Sequence, residues 1–197
     1  MSAVTASRPF VSVDDYLSGE PHSEMRHEYI DGQVYAMTGA SRAHGLIVNA
    51  LAYALTPGAR RKQCQLFTSD MKVRLKVGGK TLFYYPDLVL SCDPNDREPY
   101  FSRSPCLIIE VLSESTARID RREKLLAYQT LPSLMAYWLV EQDALRVETY
   151  RRANDWQVQY HEQGDINVDC LDQTVLLADI YQDVSAPAGG ARSTQQY

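Results

Sequence analysis

Tyr84-Tyr85-Pro86-Asp87-Leu88-Val89-Leu90 and Leu107-Ile108-Ile109-Glu110-Val111-Leu112 decide how this chain is read. Each is an apolar run of strand length broken by one carboxylate. The second run is apolar at almost every position, the pattern of a strand covered on both faces at the centre of a sheet. A carboxylate inside such a strand is costly unless it is paired or bound to a metal. Pro86 has no N–H to give to a ladder, so Asp87 is expected at a strand end or bend. Two carboxylates on neighbouring strands can converge on a hard cation, and Mg²⁺ is held in this way, with waters and substrate oxygens completing its shell. The competing reading makes Glu110 half of a buried ion pair and Asp87 a turn cap, since structural ion pairs also bury carboxylates.

Around these runs the periodicity supplies the other elements. Met71, Val73, Leu75 and Val77 alternate with Lys72, Arg74 and Lys76, as in a half-buried strand with a wet basic face. Gly78-Gly79 turns that strand, and Leu82 to Leu90 is expected back as its neighbour. Upstream, Ser12 caps a short helix with Asp14 and Asp15 in its first turn, and Asp31-Gly32 closes a hairpin over Met25 to Met37. Ser41 opens a long helix with Ile47, Val48, Leu51, Ala54 and Leu55 on one face, stopped by Pro57-Gly58. Downstream come a helix from Arg118 to Thr130, strands over Ala136–Val140, Leu145–Tyr150 and Trp156–Tyr160, and a helical turn within Ala178–Val184. The expected fold is α/β (α+β), a single domain over residues 11–184. It has a mixed central sheet flanked by helices and an N-terminal hairpin extension, with flexible termini at 1–10 and 185–197.

Composition excludes other classes. With 197 residues, 45% hydrophobic and 23% charged, the chain is that of a folded domain. Its longest apolar run, Leu134 to Val140, is too short to cross a bilayer, and nothing near Met1 resembles a signal peptide. A cytoplasmic protein with no membrane partner is expected. Cys64, Cys92, Cys106 and Cys170 form no C-x-x-C pair, which argues against a zinc ribbon and for reduced thiols. The net charge of −5 is unevenly spread. Arg60, Arg61, Lys62, Lys72, Arg74, Lys76 and Lys80 face one acid, Asp70, in their segment, which suits a phosphate-bearing partner.

Lys124 stands four residues after Asp120, the spacing of a solvated helix pair, although the helical wheel also lets it turn inward. Taken together, Tyr29-Ile30-Asp31-Gly32, Ser41 to His44, Tyr85-Pro86-Asp87, Glu110-Val111-Leu112-Ser113, Ser115-Thr116, Asp120, Glu123-Lys124-Leu125 and Tyr128 resemble the PD-(D/E)XK nuclease superfamily. The match is nearest to a bacterial restriction-endonuclease-like branch in which the motif lysine moves from the strand to the following helix. Leu112 stands where that lysine is usual, and Lys124 where the branch has it. The resemblance implies a restriction-endonuclease-like core and Mg²⁺-dependent (or Mn²⁺-dependent) hydrolysis of nucleic acid, DNA by preference, by a homodimer. Asp87, Glu110 and the Val111 carbonyl would hold the metal, and Lys124 would orient or help deprotonate the attacking water and offset charge on the phosphorane.

The remaining candidates carry less. His44 lies toward the core face of the first long helix, as a near-site or core histidine. That helix contains no acid, so Glu28 could take the place of one near the metal, or pair with Arg26 or His27. Ser113, Ser115 and Thr116 read as helix caps, and Lys72, Arg74 and Lys76 as a surface for the phosphate backbone. Two other functions compete: a glycosidase carboxylate pair, for which no sugar platform is visible, and a catalytically silent nuclease fold that binds a partner.

Overall fold

The computed structural model describes residues 10–114 and 116–184. Ser115 and both expected flexible termini, apart from Phe10, lie outside the described residues. The chain starts with helix α1 (Val13–Gly19), where the Ser12 hydroxyl accepts the Asp15 N–H as the sequence predicts. Strands β1 (His27–Ile30) and β2 (Gln33–Ala36) form the hairpin. Asp31 and Gly32 both have positive φ there, which a two-residue type I′ turn requires. Helix α2 (Arg42–Arg61) follows, capped by Ser41. It runs through Pro57 rather than stopping at it. Pro57 and Tyr53, whose carbonyl loses its N–H partner, are both on the exposed face of the helix, where such a loss is tolerated.

Next come β3 (Gln65–Thr68), β4 (Lys72–Val77), β5 (Lys80–Tyr84) and β6 (Leu88–Ser91). The run expected as one strand from Leu82 to Leu90 is therefore two, belonging to different sheets. Tyr85-Pro86-Asp87 carries the chain from one sheet to the other, as a residue without a ladder N–H permits. After β7 (Phe101–Ser102) and β8 (Leu107–Val111), α3 (Ala117–Ile119), a π-helical stretch (Asp120–Lys124) and α4 (Leu125–Tyr128) form one continuous helical segment. The chain closes with β9 (Ala136–Val140), β10 (Val147–Arg151), β11 (Val158–His161), β12 (Asp165–Val168), β13 (Gln173–Leu176) and α5 (Leu177–Tyr181).

One sheet has the order β2-β1-β5-β4-β7 and the other β11-β10-β9-β8-β6-β3. In the second, β8 and β9 are parallel and the other pairs antiparallel, so the central sheet is mixed as expected. All five residues of β8 are buried. Leu107, Ile109 and Val111 pack with Leu51, Leu55 and Trp138 on the α2 side, while Ile108 and Leu112 pack with Tyr128, Leu139 and Leu75 on the other. Glu110 shares the parity of Ile108 and Leu112, so it faces the side covered by α4 and the first sheet.

The expected wet basic stripe on β4 is corrected by the structure. Lys72 is buried: its ammonium donates to the Tyr85 hydroxyl at 3.1 Å and lies over the rings of Tyr16, Tyr85 and Tyr100. Arg74 lies over the rings of Phe83 and Phe101, and of the three only Lys76 is exposed. Aromatic rings from α1, the β6 approach and a loop enclose what period two assigns to solvent. The cysteines also depart from expectation. Cys64 and Cys92 are joined in a disulfide, and Cys106 and Cys170 are free.

Candidate active site

The ladder between β6 and β8 pairs Leu90 with Leu107, Val89 with Ile108 and Leu88 with Ile109. One step further along this register stand Asp87 and Glu110, the two carboxylates singled out from sequence. Opposed residues of an antiparallel pair project to one face, so the ladder points both carboxylates the same way. Past Leu88 the strand pairing ends, and Asp87 uses its side chain instead. Its Oδ2 accepts the Val111 N–H at 2.7 Å and meets His44 Nε2 at 3.1 Å. His44 is in the first turn of α2, and the Ser41 cap fixes that turn by accepting the His44 N–H. The histidine expected near the core is thus tied directly to Asp87.

Glu110 is met from the opposite side by Lys124. The Lys124 ammonium lies 3.0 Å from Glu110 Oε1, 3.0 Å from Glu28 Oε1 and 3.3 Å from Asp120 Oδ1, with its side chain 7% exposed. The i,i+4 pair with Asp120 exists, but it is buried rather than solvated. Glu28 comes from β1, where Tyr29 packs into the aromatic cluster of Tyr16 and Phe83. Strand alternation then turns Glu28 toward the second sheet. Of the two roles expected for Glu28, the structure gives the one beside the site: Arg26 pairs with Asp70 and His27 with Glu20. The Tyr85 N–H also donates to Glu28 Oε1, at 3.3 Å.

Tyr128 and Tyr84 complete the wall. The Tyr128 hydroxyl donates to Glu110 Oε1 at 3.2 Å, and the Tyr84 ring faces the Lys124 ammonium at 5.5 Å. Tyr128 stands one helical turn after Lys124, a spacing that marks it as a neighbour on the same face. Its hydroxyl stays neutral because burial, and then the Glu110 charge, push its pKa well up. Leu112, where the motif lysine is usual, is buried in the apolar layer. The lysine arrives from the helix, at a π-helical stretch of the kind often found at functional sites.

The electrostatics are unbalanced. Asp87, Glu110, Glu28 and Asp120 gather around one ammonium and one imidazole. Burial, opposed by Lys124 but reinforced by the charges of Asp120, Asp87 and Glu28, holds the Glu110 carboxyl well above the usual range. Burial works against the Lys124 ammonium, but Glu110, Glu28 and Asp120 outweigh it and raise its pKa well above that of free lysine. Both hydrogen bonds to Glu110 enter at Oε1 and both to Asp87 at Oδ2. Oε2 and Oδ1 therefore keep lone pairs for a ligand. In an extended strand the N–H and C=O of a residue point the same way, so the Val111 carbonyl turns toward Asp87 with its N–H. Hard oxygen donors and an excess of buried acids over bases are what a divalent cation would relieve, so these residues fit Mg²⁺ or Mn²⁺.

Other expected features lie apart. Arg60 is 16 residues along α2 from His44, about 24 Å at the helical rise, so the Arg60–Lys62 cluster is at the far end of α2 from Asp87. Lys62 pairs with Asp172, and Lys80 with Asp31 at 3.5 Å. Ser113 and Thr116 link their hydroxyls at 3.0 Å ahead of α3; the Ser113 hydroxyl accepts the Thr116 N–H at 3.3 Å, while Thr116, at the N-cap position, makes no side-chain capping bond. A concavity of about 780 Å³, lined by Arg146, Tyr160, His161, Glu162 and Gln163, lies at the β11 edge and contains none of these carboxylates.

A mixed sheet with an acid at the start of one strand, a second acid inside its neighbour and a lysine paired with the second defines a restriction-endonuclease-like protein. The chain belongs to the Uma2 family, described as "putative restriction endonuclease", whose family model matches residues 13–176. A crystal structure described as a "putative nuclease belonging to DUF820", from Anabaena variabilis, has a similar fold, with a TM-score of 0.69 at 16% identity. That similarity covers 87% of this chain and 98% of the other. Two uncharacterised Synechocystis proteins, slr1290 and sll1609, are also similar. The first is 34% identical over 170 residues, covering 84% of this chain and 88% of its own. The second is 32% identical over 157 residues, covering 78% and 88%. No helix among the described residues is long and apolar enough to cross a membrane.

Proposed function

We propose that this chain hydrolyses nucleic-acid phosphodiester bonds, those of DNA by preference, with a divalent cation held by Asp87, Glu110 and the Val111 carbonyl. The observation that carries the reading is the contact of Lys124 with Glu110, made inside a buried group of carboxylates beside Asp87. Bound Mg²⁺ or Mn²⁺ would polarise the scissile phosphate and acidify an attacking water.

The chain's own residues supply the rest. His44 and the Val111 N–H hold Asp87 in one orientation through Oδ2. Tyr128 and Lys124 fix Glu110 through Oε1 in the same manner. Lys124 keeps its proton, so its part is electrostatic: it orients the water and offsets charge that develops on the phosphorane, rather than removing a proton. Glu28 and Asp120 keep that ammonium in place. Arg118 and Arg122, exposed on the helical segment that bears Lys124, replace the Arg60–Lys80 segment as the phosphate-contacting surface. The homodimer belongs to the same proposal, as the assembly that presents two such sites to a duplex.

The test is cleavage of supercoiled plasmid and of single-stranded DNA by the full chain, with Mg²⁺ or Mn²⁺ and with chelator. Cleavage should require the metal, and Glu110→Ala should abolish both cleavage and metal binding. Metal-independent cleavage, or cleavage unchanged in Glu110→Ala, would overturn the assignment.

A further inference from the structure

All four cysteines, distant in sequence, meet in one place. Cys64 follows the end of α2, Cys92 leaves the end of β6, Cys106 leads into β8, and Cys170 lies in the 3₁₀ turn (Asp169–Leu171) between β12 and β13. Cys64 is bonded to Cys92, and Cys92 Sγ lies 3.6 Å from Cys106 Sγ. The sulfurs of Cys92, Cys106 and Cys170 all lie within 4.8 Å of one another. Cys106 is buried and the other three are partly buried.

That spacing is close to what a tetrahedral thiolate site needs. With bonds of about 2.3 Å from zinc to sulfur, the sulfurs of such a site stand about 3.8 Å apart. The 3.6 Å pair is already there, and among Cys92, Cys106 and Cys170 the widest separation must close by no more than about 1 Å. Cys64, held by Cys92, supplies the fourth sulfur once the disulfide opens. We propose that, in the reduced chain, Cys64, Cys92, Cys106 and Cys170 form a structural four-thiolate site for a thiophilic divalent cation of the Zn²⁺ class. Opening Cys64–Cys92 takes two electrons and two protons, both from an external dithiol that becomes a disulfide, or the electrons from a phosphine that becomes its oxide and the protons from the water it consumes. The cation then displaces the four thiol protons. The disulfide and the metal-bound cluster are thus alternative states of the same four sulfurs.

The site is separate from the carboxylate centre. Cys92 and Asp87 stand beyond opposite ends of β6, five residues and about 16 Å apart along an extended chain. Ligand chemistry also divides the ions: sulfur selects zinc-like cations, and the Asp87–Glu110 oxygens select magnesium-like ones. A cation at the cysteines would tie the end of α2, two central strands and the β12–β13 hairpin together. This is a structural rather than a hydrolytic role, because four protein ligands leave no position for water.

The full chain, reduced anaerobically with a phosphine and then desalted, is titrated with Co²⁺ as the spectroscopic probe and with Zn²⁺ against a chromophoric chelator. One Co²⁺ per chain should give tetrahedral thiolate absorption, one Zn²⁺ should displace it, and the melting temperature should rise. The signal should be lost in Cys106→Ser and in Cys170→Ser, and should persist in Glu110→Ala, which empties the other candidate site. Cys170 is only partly buried, so Cys170→Ser carries the test if Cys106→Ser does not fold. Absence of the thiolate signal in the reduced chain, or equal zinc affinity in Cys170→Ser, overturns the proposal, as does equal zinc affinity in the oxidised chain.

Discussion

Lys124→Met isolates the ammonium at the centre of the site, because methionine keeps much of the length and apolar stem of lysine. Had the Asp120–Lys124 pair been the solvated helix pair that the spacing suggests, its loss would cost about 0.3–0.5 kcal/mol. The ammonium instead touches three carboxylates at 3.0 to 3.3 Å, and the side chains of Glu110 and Asp120 are 6% and 2% exposed. Removing one partner of a buried ion pair costs about 3–5 kcal/mol, because the other partner stays buried without compensation. At a urea slope of about 2 kcal/mol per molar, that is a fall in midpoint of roughly 1.5–2.5 M.

The pH dependence adds a second check on Lys124→Met. The raised pKa of Lys124 means that its contribution is complete below the unfolded value of 10.5 and is lost only as pH rises through the higher folded value. Between about pH 6 and about pH 9 the lysine itself therefore adds no slope. In the variant, Glu110 loses the charge that opposed its burial, so it takes up a proton more readily and can neutralise itself at the acid end. The deficit should therefore widen toward alkaline pH, and Mg²⁺ should narrow it. Cleavage should fall by roughly 10²-fold or more, as it does when a positioned charge-stabilising group is lost. Urea melts at several pH values, with and without Mg²⁺, and plasmid cleavage by the same preparations supply the measurements. A midpoint within about 0.3 M of wild type, together with undiminished cleavage, would refute the account of Lys124.

Asp87→Asn should weaken Mg²⁺ binding, read by calorimetry, while preserving the fold; His44→Ala should weaken it less, because it frees Asp87 without deleting it. Lys72→Met should leave the salt dependence of DNA affinity unchanged, since that ammonium is enclosed by aromatic rings, whereas Arg118→Ala and Arg122→Ala should each lower the log–log slope by about 0.9. Asp96 accepts from Ser91 and Ser102 hydroxyls and from the Arg103 and Ser104 N–H groups. Burial opposes its charge but these bonds prevail and lower its pKa, so the stabilisation is complete above about pH 3.8 and is lost as pH falls through the lower folded value. Asp96→Ala should cost about 1–3 kcal/mol at neutral pH in a denaturant melt, and the difference from wild type should shrink under strong acid.

What could be read from sequence was local or carried by a motif. The Ser12 and Ser41 caps and the Asp31-Gly32 turn each depend on a few consecutive residues, and all three form as expected. Glu110 was conspicuous because an acid inside an apolar strand conflicts with its surroundings wherever the strand is placed. What escaped was non-local. Lys72 alternates correctly with its neighbours, yet Tyr16, Tyr85 and Tyr100 close over it from three distant segments, which no periodicity within β4 can signal. The break between β5 and β6 was half legible, since Pro86 marked it, but that the two halves join different sheets depends on partners elsewhere. The cysteines are the extreme case: spacing alone separates residues that the fold brings into contact.

The position of Lys124 follows from a conflict between two requirements on one strand. A lysine in place of Leu112 would set an ammonium against Tyr128, Leu139 and the apolar residues of β4, in a layer that holds the two sheets together. With leucine there the layer stays apolar, but the charge must then come from another element. The helical segment after β8 can deliver it because Asp120 and Glu28 meet the ammonium beside Glu110, so the lysine is buried together with its counter-charges. Those acids more than balance it, and their charges, added to burial, raise the Glu110 pKa well above the usual range. The same arrangement that leaves the strand free for packing thus surrounds the ammonium with more acids than it can neutralise. A revertant pair follows from this: Leu112→Lys combined with Lys124→Met should restore cleavage only insofar as the apolar layer tolerates the new ammonium. Recovery of activity without loss of stability would show that the packing argument is wrong.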